Sequence, residues 1–242
     1  MIIKEGGNIW PDETEDFDQA IIPDMMKQIN GVLAKTGAQA LPIGSGATPT
    51  PGKRSGDLDM IIDAGKLGGH FKVADAKAAR VELEQLFQQA GFDTKKTGTS
   101  VHVKTNIGGA AQQVDIMVVD NGEKAQKFHV HDIPKGSAYK GVHKQMLIAG
   151  LAKQEGYKWS PYKGLVNRET NELVADDLDT VAEILLGKGA IGSDLGSVES
   201  IVKRRPDAQN IVDAEEANPD SAWNKKKIKS EELQRIKQLS GI

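Results

Sequence analysis

The fold is decided by "SGDLDMIID", residues 55–63. Leu58, Met60, Ile61 and Ile62 form an apolar run of strand length. Side chains alternate faces along a strand, so Asp57 and Asp59 share one face while Leu58 and Met60 enter the opposite layer. Two like charges at the mouth of a buried strand repel, and burial sharpens the repulsion. Such a pair is tolerable when it is protonated or when a cation sits between the carboxylates. Aspartate oxygens suit the hard ion Mg²⁺, which keeps water and substrate phosphates in the rest of its shell.

A third carboxylate follows from the same reasoning. "QQVDIMVVD", residues 112–120, sets Asp115 between Val114 and Ile116. If this strand lies beside the first, Asp57, Asp59 and Asp115 converge, and three carboxylates suffice for two Mg²⁺ ions and in-line displacement at phosphorus. Asp57 and Asp59 would bridge both ions, and Asp115 would hold the ion that activates an attacking hydroxyl. Upstream, "PIGSG", residues 42–46, ends a short strand at a Gly-Ser turn. Backbone N–H groups around Gly44 and the Ser45 hydroxyl suit a phosphate cradle. Lys53 and Arg54 close the loop "ATPTPGKR" and, with Ser55, are expected to bind the same nucleotide phosphates. A lone D-x-D also fits a strand-end turn or a calcium site. The ordered set of turn, basic loop, paired aspartates and distant aspartate carries the reading.

Periodicity supplies the rest. Residues 14–35 read as a helix with Thr14 as cap and Pro23 as a kink, and residues 75–90 as an amphipathic helix closed by Gly91. "SVHVKT" and "QQVDIMVVD" are strands around the turn "NIGGAA", and "KFHVHDI" reads as a further strand. Helices follow in residues 137–156, with Ser137 as cap, and in "ADDLDTVAEILLG". The order predicts an α/β (α+β) fold, a sheet with helices laid on it. Residues 1–187 are expected to form the core. Residues 188–242 are expected to form a polar appendage, either a partner-contacting arm or a poorly ordered tail, ending in a basic helix capped by Asn224.

Composition narrows the classes. The chain has no cysteine, which excludes disulfides, thiolate metal sites and cysteine nucleophiles. Aromatic residues are 5% of the chain, too few for a base-stacking platform. A net charge of −3 argues against a dedicated nucleic-acid coat and leaves room for a local basic groove. Between Pro134 and Arg168 the cations, Lys135, Lys140 and Lys144 among them, face Glu155 alone, as a phosphate-attracting field or a solvated helix face. No apolar run reaches the ~18 residues of a membrane span. The acidic start does not read as a signal peptide, and a cytoplasmic location is the expectation.

These residues resemble the DNA polymerase beta-like nucleotidyltransferase superfamily, and look closest to the catalytic (palm) region of its family X polymerases. That family carries a Gly-Ser turn, an SGDxD strand and an apolar-Asp-apolar strand, matched here by "GSG" at 44–46, "SGDLD" at 55–59 and "VDI" at 114–116. The resemblance implies a mixed sheet with packed helices, Gly44 and Ser45 on the nucleotide phosphates, and Asp57, Asp59 and Asp115 as ligands of two Mg²⁺ ions, with Mn²⁺ as substitute. It extends into "KGSAYKGVHK", where it implies that Gly136 and Ser137 lie near the sugar and base, and covers roughly residues 30–187. Three features depart from the family. No arginine directly follows the first Gly-Ser, Ile133 and Pro134 replace an aromatic pair that polices the sugar, and the family's amino-terminal DNA-gripping helical domains have no counterpart.

The implied activity is transfer of a nucleoside monophosphate from an NTP or dNTP to an acceptor hydroxyl with release of pyrophosphate. The acceptor is left open between a nucleic-acid 3′ end, a protein side chain and a small molecule. The alternative is a catalytically weak or inactive module of the same fold that serves in binding or assembly. Other groups keep two readings. His129 and His131 share a face if extended but offer a zinc ion only two ligands; His102 and His143 read as surface or satisfied histidines. Tyr157, Trp159 and Tyr162 either stack on a base or seal a helix onto the sheet.

Overall fold

The apolar run after Asp57 lies inside a five-stranded sheet in the computed structural model of the protein, which describes residues 9–129, 131–134 and 137–224. The chain forms two compact units, residues 1–130 and 131–242. The first contains β1 (Phe17–Asp18), α1 (Ile22–Leu33), β2 (Leu41–Pro42), β3 (Arg54–Ser55), β4 (Asp57–Asp63), α2 (Ala64–Phe71), α3 (Ala76–Gln89), β5 (Asp93–Thr97), β6 (Ser100–Ile107), β7 (Ala110–Val119) and α4 (Gly122–Phe128). The sheet is ordered β2-β4-β7-β6-β5, and β1 pairs separately with β3. Only β4 and β7 run parallel; the other sheet neighbours are antiparallel. The expected mixed sheet with helices packed on it is what forms.

One face of that sheet is core. Leu58, Met60 and Ile62 on β4, Val114, Ile116 and Val118 on β7, and Val101 and Val103 on β6 are buried. Against them lie Ile22, Met25, Ile29 and Leu33 from α1 and Ala79, Leu83 and Phe87 from α3. Steps of two fill one face of a strand, and steps of three and four one face of a helix. Residues 57, 59, 113 and 115 therefore fall on the opposite face.

Two local expectations fail for identifiable reasons. The first helix begins at Ile22, not near residue 14, with Pro23 in its first turn. A proline lacks the N–H that the first turn leaves unused, so it starts the helix instead of kinking it. Thr14 turns its hydroxyl to the Trp10 carbonyl, 3.1 Å away. The described residues of "KFHVHDI" form no strand. Phe128 ends α4, whose N-cap Asn121 accepts from the Lys124 N–H at 2.9 Å. A cap with Glu123 in the first turn and Lys127 in the last outweighs the short alternation that follows.

The second unit contains α5 (Gly141–Gln154), β8 (Tyr157–Ser160), β9 (Gly164–Asn167), β10 (Leu173–Ala175), α6 (Leu178–Leu186), α7 (Val198–Arg204) and α8 (Gln209–Ala217). The three strands form an antiparallel sheet ordered β10-β9-β8. This unit runs through residue 187 without a break. Leu195, Val198, Ile201, Val212 and Trp223 join Leu147, Leu151, Val181 and Leu185 in one buried cluster. The reason is patterning: these apolar residues recur at helical spacing among charges, so a polar composition conceals a packing face. Lys140, not Ser137, precedes α5. The Asn224 side-chain nitrogen turns back to the Glu216 carbonyl at 2.8 Å, and the expected basic helix beyond it lies outside the described residues. Among the described residues no helix is long and apolar enough to cross a membrane.

Candidate active site

Register brings the three aspartates to one place on the sheet. Asp59 on β4 stands opposite Asp115 on β7, and Asp57 stands opposite Gln113. Neighbouring strands lie about 4.8 Å apart, and residues two apart on a strand about 7 Å apart. All three carboxylates leave the face away from α1 and α3, and all are half-buried.

Asp115 is held by its neighbours. Its Oδ1 lies 2.7 Å from His102 Nδ1 and accepts from Gln113 Nε2 at 2.8 Å. His102 is Asp115's register partner on β6, and its other ring nitrogen lies 2.6 Å from the Thr97 hydroxyl on β5. Gln113 is held in turn, since its Oε1 accepts from the Ile9 N–H at 2.9 Å. The segment around Ile9 is itself fastened to the sheet. Trp10 is buried beneath the ammonium groups of Lys95 and Lys104, 4.9 and 5.3 Å from its ring centre. Lys104 also pairs with Glu13 at 2.5 Å, and that bond holds its pKa above the ordinary lysine value. The sequence marked none of these supporters. Positional parity was the available signal, since Gln113 shares a face with Asp115.

The Gly-Ser turn abuts the same strand. Residues Gly44–Gly46 form a short 3₁₀ turn, and the Ile43 N–H just before it donates to the Asp59 carbonyl at 3.0 Å. Gly44 has φ +56°, a left-handed conformation suited to glycine. The basic loop is clamped from below. Buried Gln19 accepts from the Thr50 N–H at 2.9 Å and donates to the Ser55 hydroxyl at 2.8 Å. Asp18 accepts from the N–H groups of Ala20 and Gly52, and these bonds hold its carboxyl below the usual carboxylate range. Lys53 is exposed, and Arg54 donates to the Asp16 carbonyl.

Gly136 lies outside the described residues, as does Lys135. Ser137 belongs to the second unit, where its hydroxyl donates to Glu199 and accepts from the Tyr139 N–H at 2.9 Å. Lys144 is not part of a solvated basic face: it is buried on α5, and burial lowers its pKa to about 8. Trp159 and Tyr157 pack against the second core, with Trp159 Nε1 donating to Gln145 at 2.7 Å, which is the sealing role. His129 follows α4 as its C-cap, with Nδ1 at 2.7 Å from the Ala125 carbonyl, and the His131 ring lies against Gly141. His102 and His143 are buried and bonded, the satisfied alternative.

Among the described residues no three His, Cys, Asp or Glu side chains gather as a ready-made metal cage. Ionised carboxylates repel, so they close up when one of them is protonated or a cation sits between them. The fit of this site to Mg²⁺ therefore rests on register and donor chemistry: hard oxygens at adjacent positions of one face.

The fold has counterparts among solved structures. Leishmania infantum polymerase beta in a ternary P/T complex is similar with a TM-score of 0.52 and 12% identity, covering 76% of this chain and 77% of that one. The same polymerase in a ternary gap complex gives a TM-score of 0.46 and 15% identity, covering 81% of this chain and 67% of that one. No protein-family description and no curated protein matches the sequence. The first likeness shows shared architecture: the chain is similar in fold to Leishmania infantum polymerase beta, at low sequence identity.

Proposed function

We propose that this chain is a Mg²⁺-dependent nucleotidyltransferase that moves a nucleoside monophosphate from an NTP or dNTP to an acceptor hydroxyl and releases pyrophosphate. The observation that supports this reading most directly is the pairing of Asp59 with Asp115 across parallel strands, with Asp57 on the same face. Asp57 and Asp59 would hold both ions and Asp115 one. Mn²⁺ offers the same oxygen chemistry. Bound there, the ions would neutralise the triphosphate and ease ionisation of the acceptor hydroxyl.

The chain's own groups do the rest. The Gly44–Ser45 turn lies beside β4 and offers N–H groups and a hydroxyl to the β and γ phosphates. Lys53 and Arg54, with Ser55, approach the same charge from a loop fixed by Asp18 and Gln19. Asp115 orients the acceptor hydroxyl and takes its proton. Catalysis on this scheme is positioning and charge stabilisation. Likeness to a polymerase favours a nucleic-acid 3′ end as acceptor over a protein hydroxyl.

The test is incubation of the full chain with each labelled NTP and dNTP, Mg²⁺ or Mn²⁺, and mixed nucleic-acid and protein acceptors. Wild-type protein releases pyrophosphate and labels one acceptor class. Asp57→Asn and Asp59→Asn each lower turnover about a thousandfold, the scale of losing several kcal/mol of charge stabilisation, while circular dichroism stays unchanged. Undiminished turnover in both variants, or no pyrophosphate release from the wild type with any nucleotide, overturns the proposal. The second outcome leaves a binding module.

A further inference from the structure

We propose that His102 is a positioning residue: it commits Oδ1 of Asp115 to the protein and so presents Oδ2 to the divalent cation. The inference rests on the reading of Asp115 as a metal ligand.

The argument begins with hydrogen-bond capacity. An ionised carboxylate only accepts, so the 2.7 Å contact requires the proton of His102 on Nδ1. In the neutral ring the Nε2 lone pair then faces the Thr97 hydroxyl at 2.6 Å, which donates to it. The ring is thus fixed in one tautomer and one orientation by groups on β5 and β7. Gln113 adds the second donor. Because its Oε1 is committed to the Ile9 N–H, its amide nitrogen points at Asp115. Both donors converge on Oδ1, and among the described residues none bonds Oδ2.

A histidine buried for packing alone needs only some acceptor. Here two buried side chains commit a donor each to the same oxygen of a half-buried carboxylate. That arrangement selects which oxygen faces the site. Outer hydrogen bonds to a ligating carboxylate hold its orientation, and their loss typically weakens metal affinity about 10–100-fold.

The test compares two amide replacements of nearly equal polarity, His102→Asn and His102→Gln. The asparagine amide nitrogen would reach the place of the ring Nδ1 and keep the donor to Asp115, whereas the longer glutamine places its amide nearer the place of Nε2. Mn²⁺ binding is read by electron paramagnetic resonance without nucleotide. His102→Gln should weaken Mn²⁺ binding about tenfold, and His102→Asn should stay within about threefold of wild type. In turnover, His102→Gln should lower kcat more than it changes the nucleotide KM, because the phosphate cradle is intact. Nitrogen-15 NMR of the unmodified chain should show His102 as the Nδ1–H tautomer, a readout that stands even where a variant fails to fold. An Nε2–H tautomer, or equal Mn²⁺ affinity in wild type and His102→Gln, overturns the positioning role and leaves the nucleotidyltransferase reading intact. A wild-type chain that binds no Mn²⁺ overturns both, through Asp115 itself.

Discussion

Two buried histidines, one in each unit, are satisfied in the same way and aimed at different things. His102 in the first unit bonds the Asp115 carboxylate and the Thr97 hydroxyl. His143 in the second accepts from the Lys140 N–H at 2.7 Å and lies 3.2 Å from the Trp223 carbonyl. Both obey the rule that a buried polar group is bonded. The bonds of His102 end on a half-buried charge, so its position is felt where chemistry can occur. Two bonds of His143 end on backbone, and its ring packs 4.7 Å from Trp223 and 6.0 Å from Tyr139. The lesson is that destination, not burial, separates a residue that serves a site from one that closes a core.

The strongest way to break this contrast is through Trp223. The ring is fully buried in the second core, against His143 and Tyr139. Trp223→Ala should cost about 3–5 kcal/mol, the usual penalty for emptying so large a site. Calorimetry of the full chain measures the loss. Mn²⁺ affinity, measured where the variant is still folded, should be unchanged. A parallel drop in Mn²⁺ affinity would show that the second core serves the carboxylates too.

Lys144 sharpens the contrast by pH. Burial disfavours its ammonium form and brings its pKa from 10.5 to about 8. Above pH 10.5 both folded and unfolded chains carry the neutral amine, and burial carries no charge penalty. As pH falls from 10.5 towards 8, the unfolded chain gains the proton first, and stability drops. Below pH 8 the penalty is fully present, on the order of 3 kcal/mol at ~1.4 kcal/mol per pKa unit. Urea unfolding of wild type and Lys144→Met, compared between pH 7 and 10.5, should show the wild type gaining on the variant as pH rises. A constant difference would mean that the ammonium is compensated in place.

These contrasts also mark what a linear sequence can reveal. Asp57, Asp59 and Asp115 are legible because alternation within a strand is local: parity alone assigns each carboxylate a face opposite Leu58 or Val114. The Gly44–Gly46 turn is legible because glycine and serine interrupt an apolar run. His102 is not, since its meaning depends on the register of the β6–β7 hairpin, which alternation within each strand does not set. The α4 helix is obscured because the alternation in residues 127–133 suggests a strand unless the Asn121 cap upstream is set against it. The packing role of residues 190–223 is hidden by charge, because composition averages over a helix whose faces differ.

The smallest expected effect tests whether the Gly-Ser turn belongs to the site or only adjoins it. A Cβ on Gly46 would sit 2.5 Å from Leu58 Cδ1. Leu58 is buried in the core, so Gly46→Ala must either shift its side chain or lift the turn from β4. Overpacking of this kind costs about 1–3 kcal/mol. Gly44 is the control. It has open space around its missing Cβ, and Gly44→Ala is strained by its φ of +56° alone, a cost of about 1 kcal/mol. If the turn cradles phosphate, Gly46→Ala should raise the nucleotide KM several-fold more than Gly44→Ala, and both should leave nucleotide-free Mn²⁺ affinity unchanged. Equal KM values in both variants and wild type would detach the turn from the nucleotide. They would leave the aspartates with His102 as the whole of the site, because the Ile43–Asp59 bond would then do no more than hold β2 to β4.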